Sequence, residues 1–276
     1  MTDENDKQDD LSNADRSNSD VNHSSNEQED YEFDEDNSKA KKSSMGFLDH
    51  LEELRRRLIK SVLAVVLFSF VAFYFADYIM EFIKIPLQNK VELYNIAVTG
   101  SFYAYLKVSL ICGFIVSLPF NFYQMWSFIS PGLYEKEKLL IVPLVFFSTV
   151  LFLIGASFCY VVVLPLSFAF LIGFSGDVII NTITIGSYIS FVGLLLIAFG
   201  FGFQMPIVAY VLGKMGVLSY EFLSKGRRYA LITILIVGAI ITPPDVFTQF
   251  LLAIPLYILY EISIIIVKYT SKRDKE

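Results

Sequence analysis

Residues 49–58 read Asp49-His50-Leu51-Glu52-Glu53-Leu54-Arg55-Arg56-Arg57-Leu58 and run directly into a long apolar segment. In a helix, the apolar residues around this stretch recur at spacings of four, three and four and form one stripe along a membrane surface: Phe47, Leu51, Leu54 and Leu58. On the charged face, Glu52 precedes Arg56 and Glu53 precedes Arg57 by four residues, the favourable order for helical ion pairs. Taken alone, the stretch indicates either a self-paired helix at the membrane surface or a binding site.

The composition of the chain indicates an integral membrane protein. Of its 276 residues, 54% are hydrophobic and 16% aromatic, and the mean hydropathy is +0.54, too apolar for an ordinary soluble domain. The net charge of −6 is concentrated at one end, because residues 1–44 hold 14 acids and 5 bases. These residues are too polar to form a core, so we expect a disordered acidic cytoplasmic tail. It is either a docking arm for a basic partner or a solubilising extension.

Six apolar segments follow the acidic tail, and a hydrocarbon core of about 30 Å requires roughly 20 helical residues for each. The predicted spans are 58–76, 104–126, 139–163, 187–212, 229–241 and 246–267, in a membrane domain of residues 45–270 followed by a short cytoplasmic tail, 271–276. Lys and Arg are concentrated before the first span and after the second, fourth and sixth, which places those ends in the cytoplasm. The sequence therefore predicts an all-α integral membrane protein with six transmembrane helices and both termini cytoplasmic. No removable signal peptide is evident, so we expect the first span to act as its own membrane signal.

The last two spans are predicted to form a short helical hairpin. The fifth segment is only about 20 Å long at 1.5 Å per residue. Pro243 and Pro244 cannot continue a helix, and Asp245 is well placed to cap the helix that follows. A re-entrant loop is the alternative interpretation of this pair.

One polar side chain lies deep in an apolar segment. Gln204 occurs in the fourth predicted span, two residues before Pro206, which frees a backbone carbonyl one turn earlier. Its amide needs a partner, either within the chain or on a partner's transmembrane helix. Cys112 and Cys159 fall in different apolar segments and do not indicate a disulfide. No metal-ligand spacing or nucleophile and base pair is visible, so neither an enzyme nor a cofactor is expected.

With these features in view, the chain resembles the TatC family, the polytopic receptor subunit of the twin-arginine protein translocase. The resemblance covers about residues 45–270. It rests on ordered matches, of which the main ones are 50–58, Pro86-Leu87, 123–134 with Glu137, 203–206 and 242–249.

The resemblance implies a receptor that holds the twin-arginine motif of folded cargo proteins at its cytoplasmic face. Glu53 and Glu137 are expected to engage the signal arginines, and other residues to shape that surface: Arg55, Phe128, Pro131, Leu133 and Tyr134. Pro86 is expected in the outer cap, and Pro243, Pro244 and Asp245 at an outer turn. Gln204 and Pro206 are candidates for contact with a partner subunit. Gln204 departs from a common family form with glutamate at this position.

The resemblance further implies assembly with single-span subunits of the TatA and TatB type, self-association within the complex, and export driven by the proton-motive force. It implies a multi-pass protein of the bacterial inner (cytoplasmic) membrane, with the lipid bilayer and signal peptides as partners and no nucleic acid. A secondary transporter of a small solute is the alternative function. The absence of a convincing internal repeat weighs against it.

Overall fold

The computed structural model describes residues 50–87, 93–96, 98–129, 141–173, 183–242 and 245–273. The chain divides into two units, Met1–Arg56 and Arg57–Glu276. Almost all of the described residues lie in helices. They are α1 (His50–Tyr74), α2 (Ala76–Lys84), α3 (Gly100–Ile129), α4 (Ile141–Phe158), α5 (Leu164–Gly173), α6 (Ile185–Gly202), α7 (Met205–Lys214), α8 (Tyr220–Lys225), α9 (Arg227–Ile241) and α10 (Val246–Arg273).

Five helical stretches of the described chain are long and apolar enough to cross a membrane. They are His50–Tyr74, Gly100–Ile129, Ile141–Gly173, Ile185–Lys214 and Val246–Thr270. Each falls on a predicted span. The fifth predicted span corresponds to α9, whose 15 residues cover only about 22 Å. The fold is therefore that of an all-helical, multi-pass membrane protein.

The third long helix continues ten residues past the predicted span end at 163. A π-helical turn, Cys159–Val163, joins α4 to α5. The amide of Leu164 donates to the carbonyl of Cys159, five residues earlier. Such a widened turn occurs at irregular points inside helices, and here it ends two residues before Pro165. The predicted spans end at 163 and resume at 187, so the prediction missed the helix from Leu164 to Gly173.

The core lies where α3, α4 and α6 pack together around Phe152. The Phe152 ring is fully buried and makes edge contacts with the rings of Phe114, Phe122 and Phe201. A Cβ at Gly200 would come within 2.3 Å of that ring. Glycine at this position thus allows the close approach of α4 and α6, as small residues do at helix contacts in membranes.

Two segments between the long helices pack against the helix ends. α2 follows α1 directly and leads into a 3-10 turn, Ile85–Leu87, in which Pro86 and Leu87 are buried. A parallel pair of two-residue strands joins Leu93 to Ile183 and Tyr94 to Thr184. Neither α2 nor the strand pair was predicted, since both fall almost entirely between the predicted spans.

Candidate functional site

The charged start of α1 lies in the first unit, of which the structure describes His50 to Arg56. Arg56 Nη2 donates to Glu52 Oε1 at 3.3 Å, and this confirms the predicted i,i+4 pair. Both of these side chains are exposed, so the pair contributes little to stability. Arg55 is also exposed, whereas Glu53 is half-buried. Glu53 is thus the more shielded of the two carboxylates in this stretch.

The C-terminal end of α3 carries buried polar side chains. Arg57 Nη1 donates to Gln124 Oε1 at 3.3 Å, which ties the first helix to α3. One turn from the helix end, Trp126 Nε1 donates to Ser148 Oγ of α4 at 2.9 Å, and both side chains are buried. These bonds fix the helix turns that immediately precede Phe128, which is half-buried.

The fourth predicted span is broken at Phe203 and Gln204, between α6 and α7. The backbone amide of Gln204 donates to the carbonyl of Phe201 at 2.9 Å, so it does not reach the carbonyl of Gly200. Its side-chain Nε2 reaches that carbonyl instead, at 3.4 Å, and also the carbonyl of Ser148 at 3.0 Å. Pro206 lies in the first turn of α7, where its missing amide is tolerated. The buried amide is therefore bonded within the chain.

Ser148 links the two buried polar groups described above. Its hydroxyl accepts from the indole of Trp126, and its backbone carbonyl accepts from the amide of Gln204. One residue of α4 thus joins the end of α3 to the break between α6 and α7. The separations of 22 and 56 residues explain why local sequence patterns give no sign of this link.

The α9 and α10 hairpin is secured at both ends. Asp245 Oδ1 accepts from the amide of Thr248 at 2.7 Å, which confirms the predicted cap at the start of α10. The Thr248 hydroxyl donates to the other carboxylate oxygen. At the other end, Arg227 Nε lies 3.0 Å from Glu261 Oε1, which also accepts from the Tyr257 hydroxyl at 3.1 Å. The ion pair was not predicted, because its partners lie on different helices.

Several predicted site residues lie outside the described residues: Pro131, Leu133, Tyr134, Glu137, Pro243 and Pro244. The expectation that Glu53 and Glu137 share one surface therefore remains a prediction. Among the residues that the structure describes, no group of three His, Cys, Asp or Glu side chains could hold a metal ion.

The long apolar helices and the buried polar links between them define a multi-pass membrane protein. The family described as "Sec-independent protein translocase protein (TatC)" matches residues 49–255. The TatC protein of Aquifex aeolicus is 45% identical over 237 residues, which cover 84% of this chain and 98% of that protein. The TatC protein of Escherichia coli is 40% identical over 221 residues, covering 79% and 86%.

A solved structure titled "Crystal Structure of Twin Arginine Translocase Receptor- TatC" superimposes with a TM-score of 0.75 at 45% identity. The match covers 80% of this chain and 99% of that one. The chain belongs to the TatC family of Sec-independent protein translocases. The chain is therefore a membrane protein that takes part in protein transport. Its family is a translocase receptor family and not an enzyme family.

Proposed function

We propose that this chain is the core receptor subunit of a twin-arginine translocase and binds the arginine pair of signal peptides through Glu53. The observation that carries the proposal is the half-buried carboxylate of Glu53 at the charged start of α1, in a chain of the TatC family. Partial removal from water strengthens a charge-assisted hydrogen bond, and such bonds are roughly twice as strong as neutral ones.

The chemistry of the carboxylate favours arginine over lysine. A guanidinium is planar and presents several donors in a fixed fork, which matches the two oxygens of a carboxylate. A lysine ammonium is a point charge without this geometry. A receptor built on Glu53, with Glu137 as the second acid, therefore discriminates between Arg-Arg and Lys-Lys signals. Arg55, Phe128, Pro131, Leu133 and Tyr134 complete the proposed surface.

The proposed arrangement has six spans with both termini in the cytoplasm of a bacterial cell, so the chain resides in the inner membrane. The distribution of Lys and Arg supports this orientation, and α9 supplies a sixth, short span that requires local thinning of the bilayer or a partner helix. Single-span subunits of the TatA and TatB type, and further copies of this chain, complete the translocase. The proton-motive force drives export of folded cargo.

Glu52 provides a matched control for a binding test, because it is a neighbouring carboxylate on the same helix and pairs with Arg56. In Glu53→Gln, crosslinking or binding of a twin-arginine signal peptide to the purified complex should fall by tenfold or more, about 1.4 kcal/mol. In Glu52→Gln it should change less than twofold. An equal loss of signal-peptide binding in both variants, or no loss in Glu53→Gln, would contradict the role assigned to Glu53.

A second experiment separates the translocase from a small-solute transporter. Copurification of this chain with single-span amphipathic subunits is expected. Uptake of a solute by liposomes that contain this chain alone would contradict the receptor function and support the transporter.

A further inference from the structure

Helix α2 has three distinct faces, and one of them is apolar but exposed. Its buried face carries Ala76, Met80 and Ile83. A second face, about 100° away at 100° per residue, carries Asp77, Glu81 and Lys84. The third lies nearly opposite the buried face and continues into the 3-10 turn. It carries Tyr78, Phe82 and Ile85, which are 75%, 56% and 61% exposed.

Three tyrosines from three long helices hold α2 in place. Tyr160 donates its hydroxyl to the carbonyl of Phe82 and Tyr188 to the carbonyl of Ile83, each at 2.5 Å. The Tyr105 hydroxyl donates to Asp77 Oδ1 at 2.8 Å. In addition, the rings of Phe82 and Tyr160 stack with centroids 4.6 Å apart.

These contacts fix the depth of α2 relative to the bilayer. Tyr160 lies 19 residues after the start of α4 at Ile141, a rise of about 28 Å, and the hydrocarbon core is about 30 Å thick. Tyr105 and Tyr188 lie in the first two turns of α3 and α6. The tyrosines thus stand where the long helices leave the hydrocarbon, the level at which aromatic residues collect in membrane proteins. α2 lies at that level.

The exposed stripe of α2 also continues an exposed apolar surface of α1. α1 ends at Tyr74, two residues before α2 begins, and Phe70 and Tyr74 of its last turns are largely exposed. Tyr78 extends that series by one helical turn. A surface that is apolar on the bilayer side and polar about 100° away is the pattern of a helix that lies in the interface plane.

We propose that α2 is an interfacial helix that inserts Tyr78, Phe82 and Ile85 into the lipid at the bilayer face where α1 ends. The Asp77, Glu81 and Lys84 face is in contact with water. The tyrosine bonds hold α2 against α3, against the π-helical turn that follows α4, and against α6. The stripe therefore anchors this end of the protein in the headgroup region.

Tryptophan substitution with two quenchers tests the proposal in the full chain reconstituted in phosphatidylcholine liposomes. Tyr78→Trp places the probe on the apolar stripe, and Glu81→Trp is the matched control on the polar face. The chain has one native tryptophan, Trp126, which is buried, so the unaltered chain gives the baseline. Lipids brominated high in the acyl chain should quench Tyr78→Trp at least twofold more than Glu81→Trp. Aqueous iodide should give the reverse order.

Ile85→Trp is the second stripe variant, in case Tyr78→Trp does not fold, and it should behave as Tyr78→Trp. Equal quenching of the stripe and control variants by iodide, with no effect of brominated lipid, would place the stripe in water and overturn the proposal. Protection of the stripe variants from both quenchers would mean that a second copy covers the face, and it would equally overturn the lipid assignment.

Discussion

Replacing Gln204 by leucine tests the polar link between α4 and the break that separates α6 from α7. The Gln204→Leu variant replaces the amide by an apolar side chain of similar size and loses both donated bonds, to the carbonyl of Ser148 at 3.0 Å and to that of Gly200 at 3.4 Å. The backbone amide of residue 204 cannot replace this donor at the carbonyl of Gly200, because it is already bonded to the carbonyl of Phe201.

The expected loss of unfolding free energy in Gln204→Leu follows from these two hydrogen bonds. Hydrogen bonds between membrane helices contribute about 0.6 kcal/mol on average and about 1.7 at most. The bond at 3.0 Å has ordinary geometry and the one at 3.4 Å is long, so most of the loss comes from the contact with Ser148. A buried carbonyl left without a donor adds roughly 1 kcal/mol or more. We expect the free energy of unfolding to fall by about 1–3 kcal/mol, and the melting midpoint by about 2–8 °C.

Thermal unfolding of the purified chain in detergent measures this difference. Ser148→Ala is the matched control, because it keeps the carbonyl that Gln204 uses and removes only the hydroxyl that accepts from Trp126. The buried Trp126 indole left without its acceptor should cost about 1–3 kcal/mol, so this variant shows that the assay detects the loss of one buried hydrogen bond. An unchanged midpoint in Gln204→Leu would refute the reasoning.

Substitutions test three further contacts. Gly113→Ala places a Cβ 2.4 Å from the backbone nitrogen of Ser69 and should cost about 1–3 kcal/mol by overpacking. Gly186→Ala meets nothing within 4 Å, so equal melting midpoints for the two variants would contradict the close approach. Asp245→Ala removes the cap on Thr248 and should cost about 1 kcal/mol, measured as faster hydrogen exchange at the start of α10; unchanged exchange would argue against the cap. Glu261→Gln weakens a pair whose side chains are 46% and 33% exposed, so the loss should stay below about 1 kcal/mol and shrink at high salt. A melting difference that does not depend on salt would exclude this explanation.

Features encoded within a few residues were predictable from the sequence. The pairing of Glu52 with Arg56 and the capping role of Asp245 both follow from spacings of three or four residues, and both are present. The five long helices follow from apolar length alone.

Features that depend on distant residues were not predictable. Because Gln204 lies deep in an apolar segment, its amide was expected to have a hydrogen-bond partner. Only the packing of α4 identifies the carbonyl of Ser148 as that partner. Helix α2 was missed because it is anchored by tyrosines 28 to 105 residues away in sequence. The continuation of the third long helix to Gly173 was missed, because the predicted span ended at 163 and the π-helical turn at that point has no signature in a single sequence.

The bond from Tyr188 to the carbonyl of Ile83 has a consequence for biosynthesis. The two residues are 105 positions apart, and a ribosome that adds about 5–20 residues per second needs roughly 5–20 s to cover that distance. During this interval α2 has been synthesised, while Tyr188 is still unmade. The short strand pair between Leu93 and Ile183 closes in the same late period. Assembly of this face of the protein is therefore completed only after the fourth long helix has been inserted.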